Sequence, residues 1–111
     1  MDCELVFKVQ GSEAEPYNVV FRRRGLNLTA TCTCKGGEMG QVCKHRLGLL
    51  AGDSSNVVSD NALDVALIPK LVLGTDVEKA LEALVVAEKA LEAAKIEMSR
   101  RKKALARAFL D

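Results

Sequence analysis

The chain has 111 residues, a formal net charge of +1, and a composition that is 49% apolar and 28% charged. A chain of this length forms one small domain at most, and a bound metal would help to stabilise its limited core. The apolar fraction excludes an intrinsically disordered protein, and the near-zero charge excludes a strong overall field that would attract nucleic acid. No apolar run reaches eighteen residues, so no membrane span is predicted.

Apolar and polar residues alternate in three segments of the first half, residues 4–10, 17–23 and 26–32. A period of two is typical of strands that bury one face. The dipeptide Arg24-Gly25 favours a tight turn, because glycine readily adopts a positive φ. The sequence therefore predicts a three-stranded antiparallel sheet.

The end of the third segment begins a region that contains three of the four cysteines and the single histidine. The pattern is C-x-C, eight residues, then C-x-H. Alternate residues of a strand point to the same face, so two thiolates spaced in this way can bind one ion. Three thiolates and one imidazole complete the tetrahedral shell of a structural zinc. We therefore predict one structural Zn²⁺ bound by Cys32, Cys34, Cys43 and His45.

The spacer and the residues after it support this site. The spacer, residues 35–42, is rich in glycine, which lets backbone N–H groups approach the thiolates. The apolar residues that follow predict a short helix from about Lys44 to Ala51, whose positive end would favour thiolate charge. Leu47 and Leu50 are expected to pack on the sheet, and Gly52 to end the helix.

The pattern C-x-C-x8-C-x-H between a hairpin and a helix resembles the SWIM-type zinc finger. The resemblance covers about Tyr17 to Gly52, and all four ligand positions are occupied. It implies a ββα zinc module, attributed to DNA binding or protein–protein contact and found in chromatin-remodelling ATPases, transposases and recombination mediators. The catalytic motifs of those larger proteins do not occur here.

Other interpretations of the cysteines are weaker. Disulfides need an oxidising compartment, and no signal peptide precedes Cys3. Iron–sulfur clusters usually take four cysteines at other spacings. A catalytic zinc keeps one position open, whereas four ligands are present here and Glu38 is the only nearby acid that could act as a base. We therefore expect a non-catalytic protein with reduced thiols and an intracellular, cytoplasmic location.

The second half of the chain is predicted to be helical, which makes the fold class α+β. We predict a zinc module at 1–52, a connector with short helical segments at 53–75, and a long helix at 76–111. Within the connector, Pro69 predicts either a kink or a break. Thr75 and Glu78 form a capping box at the start of the long helix, and neither proline nor glycine interrupts residues 76–109.

The long helix carries apolar residues at every seventh position, with alanines three residues further on, which is typical of a coiled coil. Residues 76–97 carry six acids and three lysines, net −3, and residues 98–111 carry five bases and one acid, net +4. Two copies would attract each other when antiparallel. We predict an antiparallel homodimer, with a helix folded onto its own domain as the alternative. The predicted dimerisation residues are Val77, Leu84, Leu91, Met98 and Leu105.

Between Pro16 and Gly52 the chain has six bases and one acid, net +5, which three thiolates on Zn²⁺ offset by −1. A local basic surface is typical of phosphate binding. Aromatic residues are too few for base stacking, so contacts to the backbone are expected, with DNA favoured over RNA. The alternative is a protein-interaction adaptor or small regulator, such as a phage or mobile element carries, with zinc purely structural. The predicted nucleic-acid-binding residues are Arg22, Arg23, Arg24, Lys35, Lys44 and Arg46.

Overall fold

The computed structural model describes residues 3–111, and its class is α+β, as predicted. A three-stranded antiparallel sheet of order β1-β2-β3 comes first, and helices follow. The strands are β1 (Cys3–Val9), β2 (Tyr17–Arg24) and β3 (Asn27–Cys32). The helices are α1 (Lys35–Glu38), α2 (Lys44–Leu50), a 3-10 segment (Ala62–Leu67), α3 (Ile68–Val72) and α4 (Asp76–Leu110).

One face of the sheet forms the core. Phe7, Val19 and Phe21 are fully buried there, and the rings of the two phenylalanines meet edge to face with centroids 6.4 Å apart. The register of β2 with β3 places Cys32 directly opposite Val19. The first zinc ligand therefore lies on the apolar face, in the phase that the alternation predicts.

The opposite face, which we call the open sheet face, is polar and mostly exposed. Arg22 crosses from β2 to β1 on this face and pairs with Glu4, with Nη2 and Oε2 2.6 Å apart. The described residues of the open sheet face are Glu4, Val6, Lys8, Asn18, Val20, Arg22, Arg24, Asn27, Thr29 and Thr31.

Residues 53–75 pack against the sheet and complete its core. Pro69 lies in the first turn of α3, where its missing N–H is not needed, and the preceding turns form the 3-10 segment. Arg23 reaches the end of α3 and donates to the carbonyls of Leu71 (3.1 Å) and Leu73 (2.7 Å). The buried residues of this region are Val65, Ile68, Leu71, Val72 and Thr75.

Helix α2 packs mainly through Leu49, which is buried; the predicted Leu50 is half-buried and packs against the same core, whereas Leu47 is half-buried and does not join it. Residues four apart share one face of a helix. Because His45 must face the other ligands, that same face brings Leu49 into the core.

The start of α4 is bonded to the β2–β3 hairpin. The N–H of Asp76 donates to the carbonyl of Leu26 (3.1 Å), and its carboxylate accepts from the N–H of Leu28 (3.0 Å). The capping box is present: the N–H of Glu78 donates to Thr75 Oγ1 (3.4 Å). The carboxylate of Glu78 accepts from the N–H of Gly74, one residue earlier than the simple motif predicts.

The described residues divide into two compact units, one up to Glu78 and one from Lys79 to Asp111. The second unit is the remainder of α4, a helix of 35 residues and roughly 50 Å. Its seventh-position residues Leu84, Leu91 and Met98 are 38%, 58% and 54% exposed. Across residues 3–111, none of the helices combines the length and the apolar character needed to cross a membrane.

Candidate metal centre

Four side chains converge beyond the end of β3. The ligand atoms of Cys32, Cys34, Cys43 and His45 all lie within 4.8 Å of one another, and His45 Nδ1 is 3.8 Å from Cys32 Sγ. Two donors on one tetrahedral zinc are separated by roughly 3.5–3.8 Å. The three thiols are buried and the imidazole is half-buried. These residues form a zinc site that fits one structural Zn²⁺, as predicted.

Two of the ligands also cap helices. Cys34 Sγ accepts from the N–H of Gly37 (3.3 Å), and Cys43 Sγ accepts from the N–H of Arg46 (3.4 Å). In each case the donor lies three residues after the cysteine, at the N terminus of a short helix, which favours a negative charge on sulfur. Helix α1 was not predicted, because the adjacent glycines Gly36 and Gly37 have poor helix propensity.

The guanidinium of Arg46 lies against the site rather than in solvent. Its Nε donates to Cys43 Sγ (3.2 Å), its Nη1 donates to the carbonyl of Ala30 (2.8 Å), and its Nη2 donates to the carbonyl of Gln41. Arg46 thus connects a ligand to β3 and to the spacer. The sequence assigns Arg46 to a nucleic-acid surface, whereas its contacts give it a structural role at the metal centre.

Burial and hydrogen bonding oppose each other at the thiols. Burial raises the pKa of Cys32 to about 12. Burial also raises the pKa of Cys43, but the backbone and side-chain bonds from Arg46 outweigh it, so the pKa of Cys43 is lowered overall. Burial, together with the charge of Lys44, lowers the pKa of His45 and keeps its imidazole neutral. Cys43 and His45 are therefore prepared to bind, whereas Cys32 needs a cation nearby to ionise.

Two glycines line the site: Gly37 of the glycine-rich spacer, whose N–H approaches Cys34 Sγ as the sequence predicts, and Gly11, to which no role was assigned from the sequence. A Cβ at Gly37 would lie 2.6 Å from the carbonyl oxygen of Cys32, which is backbone and cannot easily move. A Cβ at Gly11 would overlap the ring of Tyr17 and lie 3.1 Å from His45 Nε2. Nε2 is buried, and no group among residues 3–111 bonds to it. The loop at Gly11 therefore closes over the imidazole.

The predicted basic residues separate into two groups. Arg22, Arg23 and Arg24 lie at the hairpin end of β2, and Lys35 and Lys44 lie beyond the other end of the sheet, at the starts of α1 and α2. The length of β2 puts these ends roughly 20 Å apart. The six residues therefore do not form one cluster.

Comparison with known proteins agrees with this geometry. The family model of the SWIM zinc finger matches residues 7–51, a segment that includes the end of β1, all of β2 and β3, α1, α2 and the four ligands. Residues 7–51, which we call the finger, are therefore similar to a SWIM zinc finger, and the four ligands fit such a metal-binding module. Searches of curated proteins and of solved structures returned no match.

Metal removal is expected to unfold the finger. We expect one zinc per chain, and we expect chelation to leave three buried thiols without a partner charge, so that amide protection in β2 and β3 is lost. Acidification should release zinc as well, because the ligands must be deprotonated to bind. Metal analysis and amide hydrogen exchange test this. Unchanged protection in metal-free protein would contradict a structural role for the metal.

Gly37→Ala is expected to weaken zinc binding at least about tenfold, because the added Cβ displaces the backbone of Cys32. Gly36→Ala is the matched control. Its added Cβ meets nothing closer than 3.8 Å, and alanine improves helix propensity by up to about 1 kcal/mol. Competition with a chromophoric chelator measures both affinities, and equal affinities would show that the close packing at Gly37 is unimportant.

Arg46→Met keeps the length of the side chain and removes its donors, and we expect zinc affinity to fall by roughly 10–100-fold. Lys44→Met removes an exposed charge two residues away, and we expect an effect within about twofold. The same competition assay applies. If both variants lose affinity equally, local positive charge is sufficient and the specific contacts of Arg46 do not matter.

Proposed function

We propose that the SWIM finger is a non-catalytic module that binds the sugar–phosphate backbone of nucleic acid, with DNA preferred to RNA. The charge of the open sheet face supports this proposal. Its described residues include three bases, Lys8, Arg22 and Arg24, against one acid, Glu4, so three minus one leaves net +2. Exposed threonine hydroxyls beside these bases can donate to phosphate oxygens.

Four of the six predicted bases remain suitable for this role. Arg22 and Arg24 lie on the open sheet face, about 7 Å apart along β2, and Lys35 and Lys44 are exposed at the zinc end. Arg23 is occupied with the carbonyls that end α3 and, like Arg46, stabilises the fold. Lys8 joins the set, because it lies on the open sheet face opposite Asn18.

The metal centre supports a non-catalytic role. Four protein ligands fill a tetrahedral shell, whereas catalytic zinc usually has three and binds water in the fourth position. Glu38, the candidate base, is exposed at the end of α1. The zinc therefore serves to hold β3, α1 and α2 together.

Arg22→Ala combined with Arg24→Ala is expected to weaken nucleic-acid binding and to reduce its salt dependence. Loss of two phosphate contacts should lower the slope of log affinity against log salt by about 1.5–2. Arg100→Ala with Arg107→Ala removes the same charge from α4 and is the control. Fluorescence anisotropy with duplex and single-stranded DNA and RNA at several salt concentrations measures this. Absence of binding by the unmodified protein at low salt would reject the proposal.

We propose a second activity, self-association through α4 as an antiparallel homodimer. The stripe formed by Leu84, Leu91, Met98 and Leu105 is solvent-exposed in the single chain, which is unfavourable without a partner. The acidic first part and the basic second part of α4 attract a second copy in the opposite direction. An adaptor that binds a helix of another protein, with zinc purely structural, is the alternative.

Leu84→Gln combined with Leu91→Gln is expected to raise the dissociation constant of the dimer at least about tenfold, because the substitutions place amides in the apolar seam. Val86→Gln with Ile96→Gln changes two exposed apolar residues away from the stripe, and we expect little effect. Sedimentation equilibrium of the zinc-loaded protein measures both. A monomer at tens of micromolar would reject self-association and favour the adaptor.

A further inference from the structure

Large and small residues alternate along the apolar stripe of α4. The first residue of each seven-residue repeat is large and the fourth is alanine, except for Arg101. The first positions are Val77, Leu84, Leu91, Met98 and Leu105, and the fourth positions are Ala80, Ala87, Ala94, Arg101 and Ala108.

This alternation distinguishes the two directions of pairing. In a parallel pair, each layer of the seam contains the same residue from both helices. Leucine would then meet leucine in one layer and alanine would meet alanine in the next, so no single helix separation would pack both layers well. A parallel pair would also bring two copies of Arg101 together. In an antiparallel pair, each large residue meets an alanine from the partner, except in the layer that contains Arg101, so the layers are more even in volume.

We propose that α4 pairs with a second copy in one antiparallel register, in which Leu91 packs against the partner's Ala94. This inference rests on the proposed self-association and specifies its geometry. The same register aligns the other first positions of one helix with fourth positions of its partner. The remaining layers pair Leu84 with the partner's Arg101, Met98 with the partner's Ala87, and Leu105 with the partner's Ala80. Val77 is level with the partner's Ala108, but it is half-buried against the core of its own finger and does not belong to the free stripe.

The ends of the helix agree with this register. Placing Leu91 against the partner's Ala94 brings Asp76 level with the partner's Phe109, so that the helices overlap over almost their whole length. A shift by one repeat in either direction would leave about two turns of each helix unpaired. The register that packs large residues against alanines is therefore also the register in which the longest stretch of the two helices is paired.

Arg101 does not bring an uncompensated charge into the seam. Its Nε donates to the carboxylate of Glu97 one turn earlier (2.8 Å), and its side chain is 79% exposed. The head group can remain on this carboxylate while the aliphatic stem covers the partner's Leu84. Beside the seam, Glu88 lies opposite the partner's Lys95, and the two-fold symmetry produces this pair twice.

A dimer carries two fingers, and the register determines how far apart they are attached to the helix pair. Each SWIM finger is bonded to the first residue of its own helix, through Asp76 to Leu26 and Leu28. Antiparallel pairing places the two Asp76 residues at opposite ends of the helix pair, about 50 Å apart along its axis. One dimer could then hold two segments of nucleic acid.

Cross-linking of paired cysteine variants tests the register. The background is the zinc-loaded Cys3→Ser protein, because Cys3 is exposed and is not a ligand. Chains with Glu88→Cys are mixed with chains with Lys95→Cys and treated with a short bis-maleimide. The matched control mixes Glu97→Cys with Lys102→Cys, positions that are neighbours in a parallel pair but roughly 20 Å apart in the proposed register.

We expect the first mixture to cross-link in high yield and the control to remain largely unlinked. High yield in the control only, or equal low yields from a protein that sediments as a dimer, would overturn the register while leaving self-association intact. A protein that sediments as a monomer would overturn both.

Charge exchange provides an independent test. Glu88→Lys alone, or Lys95→Glu alone, should raise the dissociation constant of the dimer by about tenfold, because two attractive pairs become repulsive. The double variant Glu88→Lys/Lys95→Glu should restore it to within about twofold. Recovery in the double variant supports the pairing, since these residues are two helical turns apart in one chain. Additive losses would overturn it.

Discussion

The attraction between buried thiolates and one divalent cation is the interaction on which the finger depends. Burial, together with the neighbouring Cys34 and Cys43 thiols, raises the pKa of Cys32 to about 12, so a nearby cation is needed for this sulfur to ionise. The sulfurs of Cys34 and Cys43 accept hydrogen bonds from N–H donors at the starts of α1 and α2. The metal therefore joins a strand to two helices that are too short to persist alone. The finger can fold with a small hydrophobic core because the free energy of metal binding adds to the free energy of folding.

The basic residues of the finger form two groups, those bonded to acceptors within the fold and those exposed on its surface. Arg46 donates to a ligand sulfur and to two carbonyls, and Arg23 donates to the carbonyls that end α3. These guanidiniums are therefore bonded within the fold. The remaining positive charge lies on the open sheet face and at the zinc end. Any surface for phosphate is therefore an arrangement of strand residues, about 20 Å long, and is not the turn of the hairpin alone.

Only the first residues of helix α4 contribute to the fold of the finger. Its first residues belong to the finger unit, whereas the seventh-position residues after Lys79 are exposed and apolar. Alternation of leucine with alanine, and of acidic with basic segments, matches a second copy running in the opposite direction better than one running parallel. The proposed activities then support each other, since pairing would supply two weak phosphate-binding fingers on one molecule and raise their joint affinity.

The sequence by itself determined those features that neighbouring residues encode. Alternation predicted the strands, the spacing of Cys32, Cys34, Cys43 and His45 predicted the zinc site, and the lack of glycine and proline predicted α4. Only the tertiary structure decided which groups distant in the chain meet: Arg23 with the end of α3, Asp76 with Leu28, and Gly37 with the backbone of Cys32. Periodicity is a local property of the chain. Which acceptor a side-chain donor reaches depends on where the fold places groups that are tens of residues away in the chain. A local sequence pattern does not indicate that acceptor.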